Sequence, residues 1–206
     1  MSVNNLASNK TVFAMAASDK SADDLTEACL SSLELEHTRF LKVKRDRVLL
    51  PSGHEGEREY IMHPGAVLVI PMLDDGRLVL ERQFRYPLRQ VFIELPAGKI
   101  DPNEDPLVTG QRELQEETGY TASEWIYLAA QHPCIGYSDE IIHIYLARGL
   151  AAGQHQRDAD EALQIFEADL NACLQMVQRG EITDGKTIIA LFWLEKYLQG
   201  SWPAQP

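Results

Sequence analysis

The rhythm of hydrophobic and polar positions changes twice along this chain. Residues 1–34 are rich in Ser, Asn, Ala and Asp with weak periodicity. They read as a poorly ordered N-terminal extension carrying one short helix at DDLTEACLSSLEL (23–35). The period then drops to two in RFLKVKRDRVLL (39–50), and the turn PSGHEG (51–56) leads into REYIMH (58–63), a hairpin pattern. GAVLVIPML (65–73) is a continuous apolar run, as expected of a buried strand. The DDG turn (74–76) returns the chain into RLVLERQFR (77–85), and VFIEL (91–95) is a further short strand stopped by Pro96.

Helical spacing begins at DPLVTGQRELQEETG (105–119), which carries its own end signals. Asp105 suits the N-cap, Pro106 the first turn and Gly119 the position just past the end. WIYLAAQ (125–131) and EIIHIYLAR (140–148) read as strands, ADLNACLQMVQRG (168–180) and TIIALFWLEKYLQG (187–200) as helices. Strands and helices without regular alternation predict an α/β fold, a mixed sheet with helices on its faces and an N-terminal antiparallel strand region. The expected organisation is one domain over 35–200 followed by a short tail, 201–206.

Composition narrows the function classes. Hydrophobic residues make up 45% of the 206, enough for a sizeable core. The net charge of −12 argues against nucleic-acid binding, because no excess of Lys and Arg is available to displace phosphate counterions. Cys29, Cys134 and Cys173 are widely separated with no CxxC spacing, which suggests free thiols and a cytoplasmic setting. No apolar run approaches a membrane span, and TVFAMAAS (11–18) is too short for a signal-peptide core.

The 105–118 segment is electrostatically awkward as a helix. Glu113, Glu116 and Glu117 fall at i, i+3 and i+4 and share one face, and like charges so spaced cost about 0.2–0.5 kcal/mol per pair. They also sit near the C-terminal end, where the helix dipole disfavours anions. Arg112 is the lone cation of the segment. Such crowding makes sense if a cation from outside the chain relieves it, and hard oxygen ligands without His or Cys point to Mg²⁺ or Mn²⁺. A plain solvated acidic face is the competing reading.

Spacing separates the two. From Gly98 the chain runs five residues to Glu104, seven more to Arg112-Glu113-Leu114, then Glu116-Glu117, Gly119 and the bulky Tyr120. This resembles the Nudix box, with an aromatic at Tyr120 where an aliphatic is usual. The resemblance implies an α/β/α sandwich and hydrolysis of a nucleoside diphosphate linked to another group. It implies that Glu113 and Glu117 are metal ligands, that Glu116 is a ligand or orients one, and that the Ala97 carbonyl joins them. Arg112 becomes the partner that holds a glutamate in place, and Glu104 a structural brace.

The flanking stretches HPGAVLVIPM, ERQFRYP, ELPAGKID, GYSDEIIHIYLA and ITDGKTIIALFWL resemble ADP-ribose pyrophosphatases over roughly residues 37–200. Ile135 stands where many of those enzymes carry a proline, and Pro133 lies two positions earlier. The resemblance implies a diphosphate contact from Arg85, whose guanidinium suits two phosphate oxygens. Glu94 and Glu140 are further candidates for substrate or metal contacts. Water attacking a diphosphate needs a base, and RDADEAL (157–163) supplies Glu161, with Asp158 and Asp160 as alternatives. His63, His132 and His143 are expected to be core or edge histidines, and Phe192, Trp193 and Tyr197 core packing. Phe40 is a candidate for stacking the base from a second subunit, since relatives form homodimers through the N-terminal hairpin. The expected activity is Mg²⁺-dependent cleavage of ADP-ribose to AMP and ribose 5-phosphate. Another nucleoside diphosphate sugar or dinucleotide, and a non-catalytic nucleotide-sensing module, are the alternatives.

Overall fold

The computed structural model describes residues 25–37, 41–153 and 162–205. Phe40, Asp158, Asp160 and Glu161 lie outside the described residues. The chain opens with three antiparallel strands, β1 (Ala28–His37), β2 (Lys42–Leu49) and β3 (Glu55–Met62), ordered β1-β2-β3. The helix expected at 23–35 is therefore replaced by a strand. Leu33 and Leu35 fit a period of two, and Ala28–His37 pairs along the whole of β2 with two bulges. Ladder hydrogen bonds outweigh a weak local helical preference. This strand begins inside the segment read as the N-terminal extension.

A mixed sheet carries the rest. Its order is β7-β4-β9-β8, from β7 (Ala97–Lys99), β4 (Ala66–Pro71), β9 (Ile142–Ala152) and β8 (Tyr120–Gln131). β4 runs parallel to β9 and antiparallel to β7, and β8 is antiparallel to β9. A second, antiparallel sheet has the order β10-β5-β6, from β10 (Leu163–Asp169), β5 (Arg77–Arg85) and β6 (Gln90–Glu94). β7 and β10 were not expected from the hydrophobic pattern. One is too short to show a period, and the other is half exposed.

All of Ala66–Pro71 is buried, as a strand covered on both faces must be. Val67 and Val69 pack on one face with Leu114 and Ala147. Leu68 and Ile70 join the larger core on the other, with Leu78, Leu95, Ile144, Leu191 and Leu194. Helix α1 (Pro106–Glu113) covers the first face, while α2 (Leu170–Gln178) and α3 (Gly185–Leu198) pack on the second. The result is the mixed sheet with helices on its faces that the pattern predicts, arranged as the α/β/α sandwich that the resemblance implies. Gly110 allows α1 to lie close on the sheet, because a Cβ there would stand 3.1 Å from Val67 Cγ1 and 3.4 Å from Trp125. The helix thus gives up about 1 kcal/mol of propensity for close packing.

Candidate active site

The caps read from the sequence bound the acidic helix, but its last turn is wider than expected. Asp105 accepts a hydrogen bond from the Leu107 N–H at 2.9 Å and starts α1. After Glu113 the backbone passes into a π-helical turn, Leu114–Thr118, which holds Glu116 and Glu117. Gly119, at φ 79°, ends it in the left-handed region that glycine tolerates. Such widened turns are frequent at functional sites.

Arg112 gathers the carboxylates. Its Nε and Nη2 donate to the two oxygens of Glu104 at 3.2 and 3.1 Å, and Nη2 also reaches the Lys99 carbonyl at 3.3 Å. Its Nη1 donates to Glu113 Oε1 at 2.8 Å and Glu116 Oε2 at 3.0 Å. These contacts use all five guanidinium N–H groups, so Arg112 is an internal brace. The hydrogen bond from Arg112, against the opposing effect of burial, holds the Glu104 carboxyl down at about 2. The same bond raises the Arg112 pKa. Thr109 Oγ1 adds a donor to Glu104 at 2.7 Å.

Glu117 is only 3% exposed and accepts from the Ala97 N–H at 3.1 Å. Glu113 lies over Gly98 so closely that a Cβ there would meet its carboxyl carbon and Oε1 at 1.9 Å. The glycine at the start of the box is thus a steric requirement of the Glu113 side chain.

The opposite wall is built on a buried carboxylate. Glu94, 2% exposed, accepts from Arg85 Nε and Nη2 at 2.7 Å each, and from Lys186 Nζ. Burial pushes its pKa up, but the Arg85 hydrogen bond and the Lys186 charge outweigh that and leave it below the usual carboxylate range. Glu81, 1% exposed, is paired opposite Glu94 across β5 and β6. The Arg85 pKa is raised, chiefly by the hydrogen bond to Glu94. At the rim, His63 Nδ1 stands 3.6 Å from Glu140 Oε1 and accepts from the Gly65 N–H at 3.2 Å. The His63 N–H donates to Asp139 at 2.7 Å.

These walls enclose one cleft of about 570 Å³, lined by Glu113, Glu116, Glu117, Arg112, Ala97, Arg85, Glu140, His63 and Lys186, among others. Its carboxylates suit a hard divalent cation. Among the described residues no three ligating side chains already stand together around a metal position. Glu113 and Glu116 turn instead to Arg112, and Glu117 to the Ala97 amide. The donor set fits such an ion. Glu113, Glu116 and Glu117 share the cleft wall with the main chain of Ala97, and Gly98 leaves the space that Glu113 occupies.

Comparison with known proteins places the chain in a family. A family profile, the NUDIX domain, matches residues 62–187, so the chain belongs to the Nudix family. Among curated relatives, the chain is 39% identical over 173 residues to a methanol dehydrogenase activator of Bacillus methanolicus, covering 82% of this chain and 92% of that one. It is 36% identical over 173 residues to an ADP-ribose pyrophosphatase of Bacillus subtilis, covering 83% and 94%. A solved structure described as an ADP compounds hydrolase shares the fold at a TM-score of 0.78, with 22% identity, covering 87% of this chain and 98% of that one.

The structure brings Arg85, Ala97, Arg112, Glu113, Glu116, Glu117 and Glu140 to one cleft. Glu94 stands behind the wall and touches the cleft through Arg85 and Lys186. His63, expected as a core or edge histidine, lines the cleft, whereas the half-buried His143 lies beside Tyr127, with burial lowering its pKa. Phe192 is 45% exposed and so is not core packing, while Trp193 and Tyr197 pack against the larger core, Trp193 meeting Trp202 edge to face with centroids 4.5 Å apart. Lys186 also lines the cleft; it precedes the helix expected at 187–200, and only the earlier start of α3 puts it in a first turn, where the dipole disfavours a cation.

Proposed function

We propose that this chain hydrolyses the diphosphate bond of ADP-ribose to AMP and ribose 5-phosphate, with Mg²⁺ or Mn²⁺ bound in the carboxylate cleft. The observation that carries this reading is the sharing of one cleft by Glu113, Glu116, Glu117 and Arg85. The likeness to the Bacillus subtilis ADP-ribose pyrophosphatase supports ADP-ribose among the nucleoside diphosphate derivatives.

Mechanism follows from the residues. A bound divalent cation supplies neutralisation of phosphate charge and a more acidic water. Glu113, Glu116 and Glu117, with the Ala97 carbonyl, would hold it, and Arg112 keeps the glutamates oriented. Arg85 grips diphosphate oxygens with the N–H groups that Glu94 leaves over. Glu161 takes the proton of the attacking water, with Asp158 or Asp160 as the alternatives. Two residues on from Glu161, Leu163 is paired opposite Gln83, which lines the cleft. The water oxygen bonds to one phosphorus as the bridging P–O bond breaks, and the bridging oxygen leaves on the other phosphate. Glu140, beside His63, faces the substrate from the rim.

We assign the chain to the cytoplasm, a reading supported by its three free cysteines. A homodimer through the N-terminal sheet is supported by Leu30 and Leu33, 46% and 58% exposed on β1. Light scattering at micromolar concentration should give twice the chain mass; a monomer contradicts it.

The activity is tested by a panel of ADP-ribose, other nucleoside diphosphate sugars and dinucleotides with Mg²⁺, resolved by chromatography. ADP-ribose should give the highest kcat/KM. Preference for another derivative would reassign the substrate, and binding of ADP-ribose without hydrolysis would indicate a nucleotide-sensing module. The 39% identity to the methanol dehydrogenase activator favours a second reading, a stimulatory action on a dehydrogenase. Turnover of the Bacillus methanolicus dehydrogenase with and without this chain distinguishes it.

A further inference from the structure

Lys186 stands where a helix disfavours a cation, in the first turn of α3 just after the N-cap Asp184. A lysine at such a place is expected to extend into solvent. This one is 16% exposed, folds back onto Glu94 and Asp184 (3.0 Å to the latter) and lines the cleft. Glu94 in turn is more than satisfied. Arg85 alone gives it a bidentate pair, yet its Oε2 accepts from both Arg85 Nη2 and Lys186 Nζ. Two cationic nitrogens that share one oxygen lie within about 5–6 Å of each other, twice a hydrogen-bond length. Neighbouring phosphates can span that distance.

Donor counting separates this pair from Arg112. Arg112 has committed every N–H to the box. Among the described residues, Arg85 spends two of its five N–H groups on Glu94, and Lys186 spends two of its three on Glu94 and Asp184. Both side chains therefore keep donors at the cleft wall. Their register is fixed from behind: Thr187 Oγ1 accepts from the Leu95 N–H at 3.0 Å, and Asp184 accepts from the Thr187 N–H at 3.0 Å. The first turn of α3 is thereby tied to the residue that follows Glu94.

We propose that Lys186 is a second phosphate-binding residue, which together with Arg85 forms a two-cation clamp on the non-bridging oxygens of a diphosphate. Glu94 is the positioning residue that holds both and does not itself touch the ligand. This rests on the reading that the cleft accepts a diphosphate.

The test pairs steady-state kinetics on ADP-ribose with calorimetric titration of magnesium pyrophosphate, which carries the diphosphate alone. Lys186→Met should raise KM and weaken pyrophosphate binding by about tenfold or more, the loss of one charge-assisted hydrogen bond. The Mg²⁺ concentration for half-maximal activity should stay the same. Lys186→Arg should recover most of the affinity, and Glu94→Gln should weaken pyrophosphate binding at least as much as Lys186→Met. Circular dichroism checks that each variant is folded. Folded Lys186→Met with KM and pyrophosphate affinity within twofold of wild type overturns the clamp, as does a wild type that does not bind pyrophosphate. A wild type that binds pyrophosphate in a Lys186-dependent way but leaves ADP-ribose intact upholds the clamp and refutes the substrate.

Discussion

Gly98→Ala separates the structural and chemical roles of the box more sharply than replacing a carboxylate. A Cβ at residue 98 would stand 1.9 Å from the Glu113 carboxyl carbon and Oε1, and 2.5 Å from its Cγ. No side chain tolerates contacts that short, so the Glu113 carboxylate must move by about an ångström or more. It then loses its 2.8 Å hydrogen bond from Arg112, a charge-assisted bond of about 1.5–3 kcal/mol. Since the clashing group is the far end of a flexible side chain, the fold should survive. At roughly 2–4 °C per kcal/mol for a chain of this size, the melting temperature should fall by about 3–12 °C. Activity should suffer far more, because a misplacement of that size costs on the order of 100-fold. Differential scanning fluorimetry and initial rates across a Mg²⁺ titration read the two effects from one preparation. A folded Gly98→Ala protein with turnover and Mg²⁺ dependence within threefold of wild type would refute the steric argument.

Two further predictions concern the scaffold. The Glu104 carboxyl sits at about 2 against an ordinary 4.5, so the stability it contributes is complete above about pH 4.5 and is lost as pH falls toward 2. Glu104→Gln cannot ionise, so its melting temperature should lie below that of wild type at pH 6, with the gap closing between pH 4.5 and 2; a constant gap would contradict the assignment. Gly110→Val places branched methyls against Val67, Val69 and Trp125 and should destabilise by about 1–3 kcal/mol in urea melts despite removing a helical glycine. A more stable variant would show that α1 does not need its close approach to the sheet.

Features with their own local chemistry were legible in the sequence. Asp105, Pro106 and Gly119 bracket the acidic helix because caps act over a few residues, and Ala66–Pro71 announced itself by a continuous apolar run. Elements formed by pairing were not. Ala28–His37 is a strand only because β2 lies beside it, and Ala97–Lys99 is too short for any period. The π-helical turn at Leu114–Thr118 leaves no mark in residue type. Within the site, the crowded carboxylates pointed to themselves through their repulsion. Lys186 is disfavoured in the first turn of α3, but one cation against a helix dipole is a far weaker anomaly than three anions on one helix face. The burial of Glu94 behind Arg85 and Lys186 depends on β6 meeting α3, 92 residues apart in sequence, and no local pattern encodes that.

Under the proposed function, the Glu113, Glu116 and Glu117 cluster drives diphosphate hydrolysis. The most direct test of that role is kcat for ADP-ribose cleavage by Glu117→Gln beside wild type, at saturating Mg²⁺, with the fold verified by circular dichroism. Wild type should release AMP and ribose 5-phosphate in equal amounts, and the variant should be slower by at least the 10²–10³-fold typical of losing one electrostatic stabiliser, that is, about 100-fold or more. Turnover by the folded variant close to that of wild type would contradict the account.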